Sequence, residues 1–198
     1  MTAGATDEEL MLAYRAGDAA AFDLLYARHK GGVFRYLRRQ TGNAGHAEEL
    51  FQDVWLRLID ARGRYEPQAK FTTWLYTIAH NRLMDHFRAA SRASLVSYDD
   101  PDDDPVADLP ARDPPPEDVL ARKQEAARLL AAIDALPAAQ REAFLLQQEG
   151  ELSVEAIAAA TGVTRETAKS RLRYALAKLR ASLRPQAAND ETTEREPG

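Results

Sequence analysis

The 198-residue chain carries 26 Lys and Arg against 31 Asp and Glu, a formal charge of −5, which taken alone argues against a nucleic-acid ligand because phosphate affinity rests on basic side chains. It has no cysteine, which excludes disulfide frameworks, thiolate metal sites and cysteine nucleophiles. No apolar run approaches the ~18 residues that span a bilayer, and the opening MTAGATDEEL is acidic rather than basic-then-apolar, so the expectation is a cytoplasmic chain without membrane insertion.

The length allows one large or two small domains, and the 37 alanines favour helix over a deep core. Helical periodicity predicts helices over 7–16, 19–40, 46–62 and 71–92, broken at Gly42 to Gly45 and Gly63 to Ala69. The stretch from Asp99 to Asp118, DDPDDDPVADLPARDPPPED, then gathers six of the ten prolines and nine of the acids. Proline and like-charge repulsion forbid a core or a regular helix there, so it reads as an extended linker with a reach on the order of 60 Å. Beyond it, periodicity predicts helices over 117–135, 138–149, 153–160 and 164–183, with Pro137 at the start of the second, where its missing N–H is harmless. The expected fold is all-α: two small helical domains, 1–98 and 119–184, an acidic Pro-rich linker over 99–118 and a disordered acidic tail over 185–198.

Charge counted by segment reverses the first impression. Residues 1–98 hold 13 bases and 11 acids, and residues 119–184 hold 11 and 7, while the linker and tail together hold 2 bases and 13 acids. Both expected domains are therefore net basic.

The segment LSVEAIAAATGVTRETAKSRLRYALAKLR, from Leu152 to Arg180, has the order of a helix-turn-helix. Ser153 can cap a short helix, Gly162 supplies a turn free to take φ > 0, and Thr164 can cap a longer helix. One face of that helix carries Ala168, Leu172, Ala175, Leu176 and Leu179 for the core. The opposite face presents Glu166, Lys169, Ser170 and Arg173, spaced i, i+3, i+4, i+7, the chemistry of a major-groove reader: Arg and Lys for guanine edges and phosphates, Glu for a cytosine amino group, Ser for either.

In the first domain, Leu50, Phe51, Val54, Trp55, Leu58 and Ile59 form an amphipathic stripe, and the far side shows Glu49, Gln52, Asp53, Leu56 and Asp60. An apolar Leu56 rimmed by acids suits docking on a basic partner helix. The next segment, GRYEPQAKFTTWLYTIAHNRLMDHFRAASR, interleaves five aromatics with Arg64, Lys70, Arg82, Arg88 and Arg92. Such interleaving suits single-stranded nucleic acid, whose bases stack on rings while cations follow the backbone. Phe71, Leu75, Ile78 and Ala79 make its core stripe, with Thr73, Tyr76, Thr77 and His80 across the helix from them. The four histidines form no HExxH and no i, i+4 pair, and GxGxxG, P-loop and GxSxG motifs are absent, so no catalytic residue, metal site or cofactor is expected.

Taken together these segments resemble the bacterial RNA polymerase sigma-70 family, in its two-domain extracytoplasmic-function group, over about residues 7–184. LMLAYRAGDAAAFDLLYARHKGGVFRYLRR is similar to the opening of a sigma-2 domain, HAEELFQDVWLRLI to its polymerase-docking helix and FTTWLYTIAHNRLMDHFR to its promoter-melting helix. ALPAAQREAFLLQQEGELSVEAIAAATGVTRETAKSRLRYALAKLR is similar to a sigma-4 domain. The resemblance implies that Glu48, Glu49, Gln52, Asp53 and Leu56 dock on the clamp helices of core RNA polymerase. It implies that Arg64, Tyr65, Lys70, Trp74, Tyr76, His80 and Asn81 hold the opened strand of the minus 10 box, and that Arg165, Glu166, Lys169, Ser170 and Arg173 read the minus 35 box as duplex. The implied partners are core polymerase and promoter DNA, and an anti-sigma protein is left open; the implied activity is non-catalytic. His46 stands where the family's docking helix typically opens with an acid. Two other readings remain at this point: a stand-alone helix-turn-helix regulator, which leaves the first domain without purpose, and a helical scaffold with no DNA role.

Overall fold

The computed structural model describes residues 4–94 and 117–184. The linker and tail expected over 99–118 and 185–198 therefore lie outside the described residues, except that Glu117 and Asp118 open a helix. Every regular element described is helical: α1 (Asp7–Arg15), α2 (Ala19–Thr41), α3 (Ala44–Ala61), a one-turn 3-10 helix (Arg62–Arg64), α4 (Phe71–Ser94), α5 (Glu117–Asp134), α6 (Ala138–Gly150), α7 (Val154–Thr161) and α8 (Arg165–Ser182).

Local chemistry sets these boundaries. A capping box opens α1, with the Glu9 amide donating to Thr6 Oγ1 at 3.3 Å and the Thr6 amide donating to Glu9 Oε2 at 2.8 Å. Asp18 caps α2 through Ala20 N–H, and Asn43 caps α3 through His46 N–H, each at 3.0 Å. Between them Gly42, at φ +70°, turns the chain out of α2 in the left-handed region that a side chain disfavours. The N-terminus of α4 is served from a distance, since Phe71 N–H donates to Glu8 Oε1 at 2.7 Å.

The first half packs α1 and α3 on α2, and α4 on α3, around Leu10, Leu25, Leu37, Val54, Leu58 and Leu75, all essentially inaccessible. At its edge Tyr14, Phe22, Tyr26, Phe34, Phe51 and Trp55 form a chain of rings, of which Tyr26 and Trp55 meet edge-on at 4.9 Å. In the second half α6, α7 and α8 close around Leu145, Leu146, Leu152, Ile157, Leu172 and Leu179.

The two halves also pack on each other, α6 against α2 and α7 against α4. The seam is polar as well as apolar. Glu142, 7% exposed on α6, accepts from the Tyr36 hydroxyl at 2.8 Å with the same oxygen that meets His80 Nδ1 at 2.7 Å. Arg35 grips Glu149 with Nε and Nη2 at 2.7–3.0 Å, and Arg39 Nη1 reaches Asp134 at 2.7 Å. The turn that follows α6 is held with Glu151 at φ 52°, unusual for a residue with a side chain, and brings Leu152 N–H back to Leu146 O at 3.2 Å.

Candidate nucleic-acid interface

The second half presents the helix-turn-helix its capping residues specify. Ser153 Oγ accepts from Ala156 N–H at 3.2 Å, Gly162 ends α7 at φ +66°, and Thr164 Oγ1 accepts from Thr167 N–H at 3.2 Å to start α8. Ala168, Leu172, Ala175 and Leu179 are buried beneath α8. The opposite face is bare: Arg165, Glu166, Lys169 and Arg173 are exposed, and Ser170 is half-buried at its edge. Arg165 pairs with Glu155 of α7 and with Glu166, and the Arg165 guanidinium holds the Glu155 carboxyl below its ordinary range. Arg173 lies over the ring of Tyr174, 5.0 Å from its centroid, and Tyr174 is itself half exposed. Tyr174 thus belongs to the outer face of α8, a position that periodicity alone leaves unremarked.

On α3, Leu56 is 59% exposed, with Glu48, Glu49 and Gln52 exposed on the same outward surface. Asp53 is partly engaged, since Arg82 of α4 pairs with it and also with Asp85. His46 meets His86 of α4 at a tilt of 59° with ring centroids 4.8 Å apart. Burial first, and then the neighbouring His46, push the His86 imidazole below its ordinary value.

The residues expected to hold an opened strand do not form one exposed surface. Arg64, Lys70 and Asn81 are exposed and Trp74 is half-buried, but Tyr65 and Tyr76 have 1% and 0% of their surface open. Tyr65 sits below α1, where Arg15 Nη1 donates to its carbonyl at 2.8 Å, and its ring meets Trp74 edge-on at 4.9 Å. Burial, with Glu8 and Asp7 nearby, raises the Tyr65 hydroxyl to about 12. Tyr76 and His80 lie in the seam, and Thr73 beside them is buried too. The face of α4 read as free for nucleic acid is, in this conformation, the face on which the second half sits; the sequence cannot show this because a protein surface and a base both favour rings and hydroxyls there.

Seam residues that sequence reading missed are Arg35, Tyr36, Glu142 and Glu149. One signal for them is the pair Gly31-Gly32 in the interior of α2, where glycine weakens a helix. A Cβ on Gly32 would stand 2.9 Å from the Glu149 carbonyl oxygen and 2.8 Å from the Tyr76 hydroxyl, so glycine is what permits the approach of α6.

Residues 25–93 match the family described as Sigma-70 region 2, and residues 126–179 match Sigma-70, region 4. The chain is 34% identical over 170 residues to the RNA polymerase sigma factor CarQ of Myxococcus xanthus, covering 86% of this chain and 93% of CarQ. It belongs to the sigma-70 family. More narrowly, it is an extracytoplasmic-function member: it is 35% identical over 164 residues to the ECF RNA polymerase sigma factor RpoE of Cereibacter sphaeroides, covering 82% of this chain and 86% of that one. Against the ECF RNA polymerase sigma factor SigE of Mycolicibacterium smegmatis it is 34% identical over 167 residues, and spans 63% of that protein's length. Two solved structures share the fold. One is CnrH in complex with the cytosolic domain of CnrY, with a TM-score of 0.61 at 23% identity, covering 89% of this chain and 96% of that one. The other is RpoE in complex with the anti-sigma factor NepR from Bartonella quintana, with a TM-score of 0.63 at 23% identity, covering 83% and 98%. Matches to both regions favour a sigma factor over a stand-alone helix-turn-helix regulator, because that alternative gives the first half no family relation. Among the described residues no helix is long and apolar enough to cross a membrane.

Proposed function

We propose that this sigma-70 family chain is a non-catalytic specificity subunit of RNA polymerase, organised as a polymerase-docking and strand-capturing half over 1–98 and a duplex-reading half over 119–184. The outward surface of α3, with Leu56 as apolar anchor and Glu48, Glu49, Gln52 and Asp53 around it, docks on core polymerase. The capped helix α8 enters the upstream major groove with Arg165, Glu166, Lys169, Ser170 and Arg173. Arg64, Lys70, Trp74 and Asn81, which are open or half-open, capture the downstream opened strand, with Tyr65 supporting Trp74 from beneath and Tyr76 and His80 on the face of α4 that the second half covers in this conformation, so that base stacking and polymerase contacts drive melting without ATP. The observation that carries this reading is the bare basic face of α8 above a buried apolar one, with Arg165, Lys169 and Arg173 all exposed. As for RpoE of Bartonella quintana, which is in complex with the anti-sigma factor NepR, an anti-sigma protein is a suitable class of partner.

The test is transcription from purified components. Adding the chain to core polymerase should start promoter-specific transcripts, and Lys169→Ala with Arg173→Ala should weaken promoter binding by about tenfold or more while leaving core affinity unchanged. An absence of specific starts refutes the sigma reading; unchanged promoter affinity in the double variant refutes the role of α8.

A further inference from the structure

We propose that the cavity lined by Arg38, Arg39 and Arg141 is a binding site for a small phosphorylated ligand, a pyrophosphoryl group either free or carried by a nucleotide. The site goes beyond the function proposed above and shares no residue with the docking surface on α3 or with the outer face of α8.

The cavity has a volume of about 600 Å³, within the range of small-molecule sites, and lies between the C-terminal end of α2 and the start of α6. Three half-buried arginines line it, and Asp134 is the one acid among its lining residues, so its wall is net positive. Among the described residues each arginine spends a single nitrogen on protein. Arg38 Nη1 donates to the Gly42 carbonyl, Arg39 Nη1 to the Asp134 carboxylate at 2.7 Å, and Arg141 Nη1 to the Asp134 carbonyl at 2.8 Å. A guanidinium carries five N–H donors in a planar fork, so most of the donors around the cavity are unspent. Two of the lining side chains also hold orphaned donors. Gln40 is 6% exposed and its Nε2 has no hydrogen-bond partner among the described residues, and Arg141 Nε is buried without one. Buried donors are ordinarily satisfied, and an orphan opposes folding until a ligand meets it.

These features select the ligand. Guanidinium forks match the paired oxygens of a phosphoryl group bidentately. A lone carboxylate is the wrong size of anion: Asp134 already supplies one, and it leaves the forks of Arg38 and Arg141 unfilled. Two linked phosphoryl groups present enough oxygens and enough negative charge to engage all three arginines. Because Arg38 and Arg39 belong to α2 and Arg141 to α6, an occupied site ties these helices together and stabilises the folded chain by mass action.

Isothermal titration calorimetry of the full-length chain at physiological salt tests this, with inorganic pyrophosphate in one arm and magnesium-free ATP in the other. One site of micromolar affinity is expected, and ligand at a hundredfold excess over Kd should raise the melting temperature by about 5 °C or more. Equal affinity in the two arms assigns recognition to the phosphoryl groups alone, tighter ATP binding adds the nucleoside, and both sustain the proposal. Arg38→Gln and Arg141→Gln should each weaken binding about tenfold. Arg180→Gln, the same charge change at an exposed position of α8, should bind as the parent does. Asp134→Asn works in the opposite direction: it releases Arg39 and should tighten binding several-fold, a gain that a damaged fold does not produce. Absence of both heat and a melting shift with either probe overturns the proposal. So does a loss in Arg180→Gln equal to that in Arg38→Gln, which would mean that anions gather on the basic surface at large, or an Asp134→Asn affinity no higher than the parent's. None of these readouts depends on transcription, so the sigma reading stands or falls separately.

Discussion

The Tyr36–Glu142 contact joins residues 106 positions apart and exists only if the halves are docked, so its coupling energy measures the closed form directly. Tyr36 is fully buried and Glu142 is 7% exposed, and the bond between them is 2.8 Å long. Burial, the largest cause, and then Glu142 raise the Tyr36 hydroxyl well above its ordinary value, so it remains a donor across the physiological range. A hydrogen bond to a charged group contributes about 1.5–3 kcal/mol, so Tyr36→Phe should cost about 2 kcal/mol, with His80 still facing the carboxylate. Glu142→Ala leaves the Tyr36 hydroxyl and the His80 ring without their acceptor and should cost about 3–5 kcal/mol. In the Glu142→Ala background, Tyr36→Phe removes an orphaned hydroxyl and should be nearly neutral. The double-mutant cycle should therefore return a coupling of about 2 kcal/mol, read from urea unfolding of the full chain by far-UV circular dichroism with m held common. Additivity to within about 0.5 kcal/mol would refute the reasoning, because it would mean that the two residues do not meet in solution.

Two further outcomes test the remaining surfaces. Leu56→Asp should lower core-polymerase affinity by about tenfold or more in a pull-down or interferometry assay, with thermal stability and duplex-DNA affinity at the parent level because the side chain is mostly exposed. Equal polymerase affinity would refute the docking assignment. Thr164→Ala removes the cap that accepts from Thr167 N–H and should destabilise the helix-turn-helix by about 1 kcal/mol in thermal unfolding, whereas Glu166→Ala, exposed in the first turn of the same helix, should lie within about 0.5 kcal/mol of the parent.

Where backbone chemistry is local, the sequence was sufficient. Thr6, Asp18, Asn43, Ser153 and Thr164 all cap helices within a residue or two of the expected starts, and Gly42 and Gly162 end them at positive φ. The exposed Leu56 and the basic outer face of α8 followed from the same 3.6-residue period, because each of those helices has one apolar face and one face open to water. Helix α4 defeats that logic by burying two faces. Phe71, Leu75 and Ala79 enter the core of their own half, while Tyr76 faces the second half, which no local pattern announces. The acids behaved likewise: Glu142 and Glu149 lie on α6 seven residues apart, a spacing that returns to the same helix face, yet a carboxylate reads as solvated until its partners are known. His46 shows a different limit, for its ring is placed by His86, 40 positions away, and not by anything on its own helix.

The charges of the described residues can be assigned in space as well as along the chain. Three of the seven acids between 119 and 184 are spent on the seam, where Asp134, Glu142 and Glu149 are matched by groups of the first half. What remains on the rest of that half is 11 bases against four acids, so the field around α8 is more positive than the domain's own net charge suggests. The first half stands in the opposite position: while it is docked, Arg35 and Arg39 are neutralised by carboxylates, and only undocking returns those charges to its surface. With a screening length of about 8 Å at physiological salt, an anion near α2 responds to these local charges far more than to the net charge of the whole chain. The same seam thus leaves the outer surface of α8 strongly basic while carboxylates of the second half neutralise Arg35 and Arg39 of the first.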